Sequence, residues 1–171
     1  MKKLILGALL LTIFAASNAY GQGANSASAT ANAKARVVNP ISLAVAGTSE
    51  LNFGDVVPST TTAGTVSLTP AGVRAAAGGV TLGSSTSVGV PTFNVGGQAN
   101  ATYAITLPVG ASTLTSGANT MTVDTFTGSK ATGTLSAGGA DSFTVGGTLN
   151  VAQNQAAGSY SGTFSVTVAY N

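Results

Sequence analysis

Between Ser159 and Tyr170 the chain alternates without a break. Tyr160, Gly162, Phe164, Val166, Val168 and Tyr170 fall on one parity, and Ser161, Thr163, Ser165, Thr167 and Ala169 on the other. Successive side chains of a strand point to opposite faces, so this segment has an apolar face and a hydroxyl-rich face. A helix would scatter both sets around its axis. The pattern predicts a strand over residues 160–170, paired within an all-β module.

Similar short runs recur along the chain, with no competing helical period. They predict strands over 27–37, 41–46, 51–57, 65–69, 92–95, 102–107, 120–124, 142–145 and 149–151, with a weaker one over 80–82. Turn residues separate them: Asn39-Pro40, Pro58-Ser59, Pro70, Gly78-Gly79, Gly96-Gly97, Pro108, Gly138-Gly139 and Gly146-Gly147. Residues 71–87 are the least regular and read as a mobile loop. Phe93-Asn94-Val95-Gly96-Gly97 echoes Phe143-Thr144-Val145-Gly146-Gly147, read as two strands that each end in a Gly-Gly turn. About 8–10 antiparallel strands with closely spaced turns make a β-sandwich. Parity assigns its core to Phe53, Phe93, Tyr103, Ile105, Phe143, Phe164, Val166 and Val168.

The first residues read as an export signal. Lys2 and Lys3 precede an apolar run over 4–16, and Ser17-Asn18-Ala19 supplies the small-x-small cleavage pattern. Cleavage is expected after Ala19, with Gly21 as the alternative, leaving residues 20–171 as one domain. The run is shorter than the ~20 residues of a transmembrane helix, and no later stretch is apolar enough to be one. The expected location is therefore the periplasm, the cell surface or the exterior. The chain has no cysteine, so neither a lipoprotein anchor nor a disulfide is available. Beyond the signal, Lys34, Arg36, Arg74 and Lys130 balance Glu50, Asp55, Asp124 and Asp141. Nucleic acid and anionic lipid need clustered basic residues, so neither is an expected partner. A nearly neutral surface of hydroxyls and amides suits packing against other chains.

Histidine and cysteine are both missing. This removes the usual general base, the thiol nucleophile and the soft metal ligands. A carboxylate pair remains in principle, because Asp124 follows one predicted strand and Asp141 precedes another. Turn residues capping strand ends are the preferred reading of both. Lys130, in Thr127-Gly128-Ser129-Lys130-Ala131-Thr132, lacks the glycine spacing of a phosphate loop and reads as a solvated loop lysine. The acids are too scattered for calcium. The expectation is a protein that is not an enzyme, with no catalytic residues, no cofactor and no metal; a small-molecule ligand is left open.

One segment carries a functional reading. Ala27, Ala29, Ala31, Ala33, Ala35 and Val37 alternate with Ser28, Thr30, Asn32, Lys34 and Arg36. Such a strand either opens its own domain or adds to a neighbour's sheet. Alanine buries little area and anchors a donated strand weakly at ~25 cal/mol/Å², so the in-domain strand and a monomeric protein are preferred. Ala29, Ala31, Ala33, Ala35 and Val37 are the candidate partner-strand residues.

Two groups of residues form a familiar pattern. One is Asn39-Pro40 with Leu51-Asn52-Phe53-Gly54-Asp55-Val56-Val57-Pro58. The other is Thr120-Met121-Thr122-Val123-Asp124-Thr125-Phe126, Val145-Gly146-Gly147-Thr148-Leu149-Asn150-Val151 and Gly158-Ser159-Tyr160-Ser161-Gly162-Thr163-Phe164 through Tyr170-Asn171. Together they resemble the bacterial secreted domain-of-unknown-function family numbered 4402, over residues 29–171. The Phe-Gly motif and the Tyr-x-Gly-x-Phe-x-Val-x-Val end are more distantly similar to the spore coat protein U and fimbrial subunit group. That resemblance implies an immunoglobulin-like sandwich and assembly with other surface subunits. It brings no catalytic residues. The chain departs from many fimbrial subunits in having neither a disulfide nor a bulky donor strand. The expected role is structural or adhesive, fimbria-like, at the bacterial surface. The alternatives are a small outer-membrane β-barrel, which needs aromatic girdles, and a carbohydrate-binding module, which needs exposed aromatic platforms.

Overall fold

A computed structural model of the chain describes residues 26–84 and 87–171. The expected signal peptide falls on residues 1–25, outside the described residues. Two units divide the chain: an N-terminal one ending at Arg36 and a body, Val37–Asn171. Residues 26–36 are exposed and form no strand. The strand expected over 27–37 is therefore absent from the fold. Its inward set is alanine apart from Val37, too little apolar area to offset the entropy of ordering the backbone.

The body is a β-sandwich, all antiparallel, with fourteen strands among the described residues. Its larger layer is built on one long strand, β13 (Ala140–Val151). The first half of β13 pairs with β8 (Thr92–Gly96), which pairs in turn with β1 (Ser42–Val45). The second half pairs with β4 (Gly64–Leu68), which forms a hairpin with β5 (Arg74–Gly78). The other edge of β13 carries β11 (Asn119–Gly128) and, beyond it, β10 (Ser112–Ser116). The smaller layer has β9 (Thr102–Thr106) at its centre, flanked by β12 (Thr132–Thr134) and β14 (Thr167–Tyr170). Two ribbons complete the body: β2 (Asn52–Phe53) with β7 (Val88–Gly89), and β3 (Val56–Pro58) with β6 (Val80–Leu82). Both layers end in edge strands, so the strands do not close into a barrel.

Alternation fills two adjoining cores. Phe93, Val95, Phe143 and Val145 of the larger layer meet Tyr103 and Leu135. Phe53 and Val80 of the ribbons cover Val66, Leu68, Val123, Leu149 and Val151. Phe126 packs against both clusters. Of the eight residues assigned to the core by parity, Phe53, Phe93, Tyr103 and Phe143 are buried. Ile105, Phe164, Val166 and Val168 are half-buried against the second cluster.

Three differences from the sequence reading have physical causes. Gly146-Gly147, expected as a turn, lies inside β13, so the predicted strands 142–145 and 149–151 are one. A Cβ on Gly146 would overlap the Leu68 carbonyl of the neighbouring β4, so the glycine serves close approach of backbones. The predicted strand 51–57 is split at Gly54, whose φ of 66° breaks the extended chain while its N–H donates to Asn52 Oδ1 at 2.8 Å. The stretch 71–87, expected to be mostly loop, holds β5 besides β6, which lies at the weaker strand expected over 80–82. Arg74 secures it, donating to the carbonyl oxygens of Phe53 (2.7 Å), Asp55 (3.1 Å) and Gly83 (2.9 Å).

Candidate functional site: an unpaired strand edge

The terminal alternation survives in the structure, but most of its expected pairing does not. Phe164, Val166, Val168 and Tyr170 are half-buried, and Thr163, Ser165, Thr167 and Ala169 are exposed, so the period of two runs through the whole segment. Only β14 is laddered, from Thr167 opposite Thr106 to Tyr170 opposite Tyr103. Upstream, Ser161 bridges Thr115, with N–H···O distances of 2.8 and 3.0 Å in the two directions. Between these points, residues 162–166 make no backbone hydrogen bond among the described residues.

The cause lies across the sheet. The pairing partner β9 stops at Thr106, two residues before Pro108. Proline has no N–H to give a ladder and disfavours the central part of a sheet. The segment is held by a side chain instead. The Phe164 ring lies 4.8 Å from that of Phe126 and 6.3 Å, edge-on, from that of Phe93. Beyond it, no strand among the described residues pairs with the outer side of β14. Along residues 162–170 the side facing away from β9 is therefore unpaired among the described residues, with Phe164, Val166, Val168 and Tyr170 packed on the second core cluster. Unpaired N–H and C=O groups in a row are a template for another strand.

The far end of this edge is clamped. Tyr170 Oη accepts from the Gln98 N–H at 2.6 Å and donates to the Asn39 carbonyl oxygen at 2.8 Å. Asn39 N–H in turn donates to Gln98 Oε1 at 3.3 Å. The chain therefore enters the body beside the last residues of β14. Of the candidate partner-strand residues, Ala29, Ala31, Ala33 and Ala35 lie in the exposed, strand-free N-terminal unit, and Val37 opens the body at 95% exposure.

The acidic residues do not converge. Asp124 faces Thr148, seven residues along β13 from Asp141, a separation of about 24 Å at ~3.4 Å per residue. A glycosidase pair needs its carboxyls within roughly 10 Å. Asp124 instead accepts from Thr125 Oγ1 (2.9 Å) and Asn150 Nδ2 (2.8 Å), where a bulge places Thr125 at φ 48°. Asp141 binds Lys130 Nζ through both oxygens, at 2.8 and 2.9 Å, which corrects the reading of Lys130 as a solvated loop lysine. Tyr103, buried at its ring, donates to Asp141 Oδ2 at 2.9 Å. The Tyr103 ring lies where a Cβ of Gly133 would stand. Burial works to raise the Asp141 carboxyl, but hydrogen bonds from Lys130, Tyr103 and the Ser142 N–H outweigh it and hold it below the ordinary value. Burial first, then the bond to Asp141, pushes the Tyr103 phenol up. Lys130 and Asp141 of this cluster line a shallow depression with Thr132, Gly133 and Thr134 of β12. Every described aromatic ring is buried or half-buried, so a carbohydrate module's exposed platform is not formed among the described residues.

The geometry defines a disulfide-free β-sandwich with an unpaired terminal edge. The family model described as domain of unknown function (DUF4402) matches residues 43–170, and the chain belongs to that family. No curated protein and no solved structure matches it.

Proposed function

We propose that this protein is an exported, non-enzymatic building block of the bacterial cell surface, structural or adhesive in role and fimbria-like in the sense that it works by joining other chains. The unpaired edge over residues 162–170 carries the reading. Exposed edges invite association, and proteins that act as monomers usually cover, shorten or charge them. This one is nine residues long and has no charged side chain. An immunoglobulin-like arrangement of the sandwich and removal of residues 1–19 on export belong to the same proposal. Export delivers the chain to a compartment where disulfide-free stability rests on the two cores alone.

The test has two parts. Fractionation of cells producing the full chain should place the processed protein outside the cytoplasm. Light scattering on a sizing column should show a mass that rises with concentration. A protein that stays cytoplasmic, or stays monomeric at every concentration reached, would refute the reading.

A further inference from the structure

We infer that the depression beside β12 is a binding site for one ring of a neutral saccharide, taken at the end of its chain. The inference concerns a ligand and not assembly, and it holds whether or not copies of the protein join.

The site is built outward from a buried ring. Tyr103 is fully enclosed, and its ring takes the place of a Cβ on Gly133, so β12 rests on it. The phenol donates to Asp141 Oδ2 at 2.9 Å, and the Ser142 N–H donates to Oδ1 at 2.7 Å. Lys130 Nζ fills one more place on each oxygen. A carboxylate has about four acceptor sites, so Asp141 has none left for a ligand. What it does is fix Lys130. An ammonium group has more N–H donors than the two spent on Asp141, and the remaining one has no partner among the described residues. A buried tyrosine thus holds a carboxylate, and the carboxylate holds one lysine in place, the arrangement by which an inner layer of side chains presets a binding group.

Uncommitted polar groups surround that lysine. Thr102, Thr132, Thr134 and Asn171 line the same cavity, of about 540 Å³. Thr134 stands opposite Thr102 on the β12–β9 ladder, and the Asn171 N–H donates to the Thr102 carbonyl oxygen at 3.2 Å. Thr134, Thr102 and Asn171 therefore form one rank across the smaller layer. All four of these side chains are exposed, and none makes a hydrogen bond among the described residues.

The lining selects the ligand. Lys130 and Asp141 cancel, and no other charged side chain lines the cavity, so charge favours a neutral occupant. No apolar side chain lines it either, so nothing draws an apolar molecule in. Hydroxyls and an amide both donate and accept, and the ammonium donates. Their match is a molecule carrying closely spaced groups that also do both, which describes the neighbouring hydroxyls of a sugar ring. The volume lies within the roughly 300–1,000 Å³ of small-ligand sites. The depression is shallow, and its open side leaves room for the rest of a chain. With no exposed aromatic ring to stack on, hydrogen bonds hold the sugar in competition with water, so binding falls in the millimolar range.

The experiment titrates the isotope-labelled full chain with glucose, galactose, mannose and N-acetylglucosamine, and with the methyl glycoside of each, followed by amide chemical shifts. At least one sugar and its methyl glycoside should give saturable shifts confined to Thr102, Lys130, Thr132, Gly133, Thr134, Asp141 and Asn171. Thr132→Val with Thr134→Val keeps the branched side-chain shape and removes two hydroxyls that bond nothing inside the protein. It should leave the melting midpoint unchanged and weaken binding about tenfold. Asn171→Ala, at an exposed residue, is the second variant and should weaken binding with the fold intact. No saturable shift with any probe would overturn the inference, and so would shifts that map elsewhere. A response to acetate and phosphate but to no sugar would show an anion site and overturn it too. A free sugar that binds while its methyl glycoside does not would refute the chain end. Folded variants that bind as tightly as the parent would show that the rank of hydroxyls and amide takes no part.

Discussion

The Phe164 ring holds the unpaired segment to the body, and Phe164→Ala measures how firmly. The ring packs against Phe126 at 4.8 Å and Phe93 at 6.3 Å and is half-buried. An enclosed aromatic side chain buries at least ~150 Å². If about three-quarters of that is covered, ~25 cal/mol/Å² gives roughly 3 kcal/mol. The ring contacts add about 1 kcal/mol, and the methyl group alanine keeps returns a similar amount. The expected loss is about 3 kcal/mol, below the upper end of the ~3–5 kcal/mol range for fully buried phenylalanine. At this size it lowers the melting midpoint by about 10 °C. Urea unfolding followed by circular dichroism should show the loss as a shifted midpoint with an unchanged slope. Phe143→Ala, at a ring only 2% exposed, should cost more. A Phe164→Ala loss under about 1 kcal/mol would mean that the segment is not anchored through this ring. The edge would then not be preformed.

Two further expectations concern polar groups. Asp141 sits below its ordinary value in the folded protein, so the unfolded chain binds more protons over that interval and stability rises with pH through it. The contribution should be complete above about pH 5 and fade as pH falls below the ordinary carboxylate value of ~4. Asp141→Asn should flatten the acid limb of a urea-midpoint profile between pH 2 and 7, and an unchanged limb would refute this. Arg74→Met should cost about 2–3 kcal/mol in chemical unfolding, because three carbonyl oxygens lose a charged donor. Arg74→Lys should recover little of it, since an ammonium cannot reproduce the planar fork; a lysine variant as stable as the parent would show that charge alone suffices.

Side-chain facing was legible in the sequence and backbone pairing was not. Parity along 160–170 assigned Phe164, Val166 and Val168 to the inner side, where they lie, because facing is a local property with period two. Whether a strand is laddered depends on what stands beside it. The end of β9 ahead of Pro108 strips residues 162–166 of a partner some sixty positions away in sequence. The β5 run Arg-Ala-Ala-Ala-Gly has no alternation to detect and is placed by its hairpin with β4 and by Arg74. The Lys130–Asp141–Tyr103 cluster was equally hidden, since it joins loop, strand end and opposite layer. The candidate site was half visible for the same reason. The alternating alanines of residues 27–37 read as a strand, yet residues 26–36 form none. Residues 162–166 read as an ordinary paired strand, because parity reports which face a side chain takes and not whether its backbone is laddered. A segment can therefore carry a strand's pattern in full while its backbone is left unladdered.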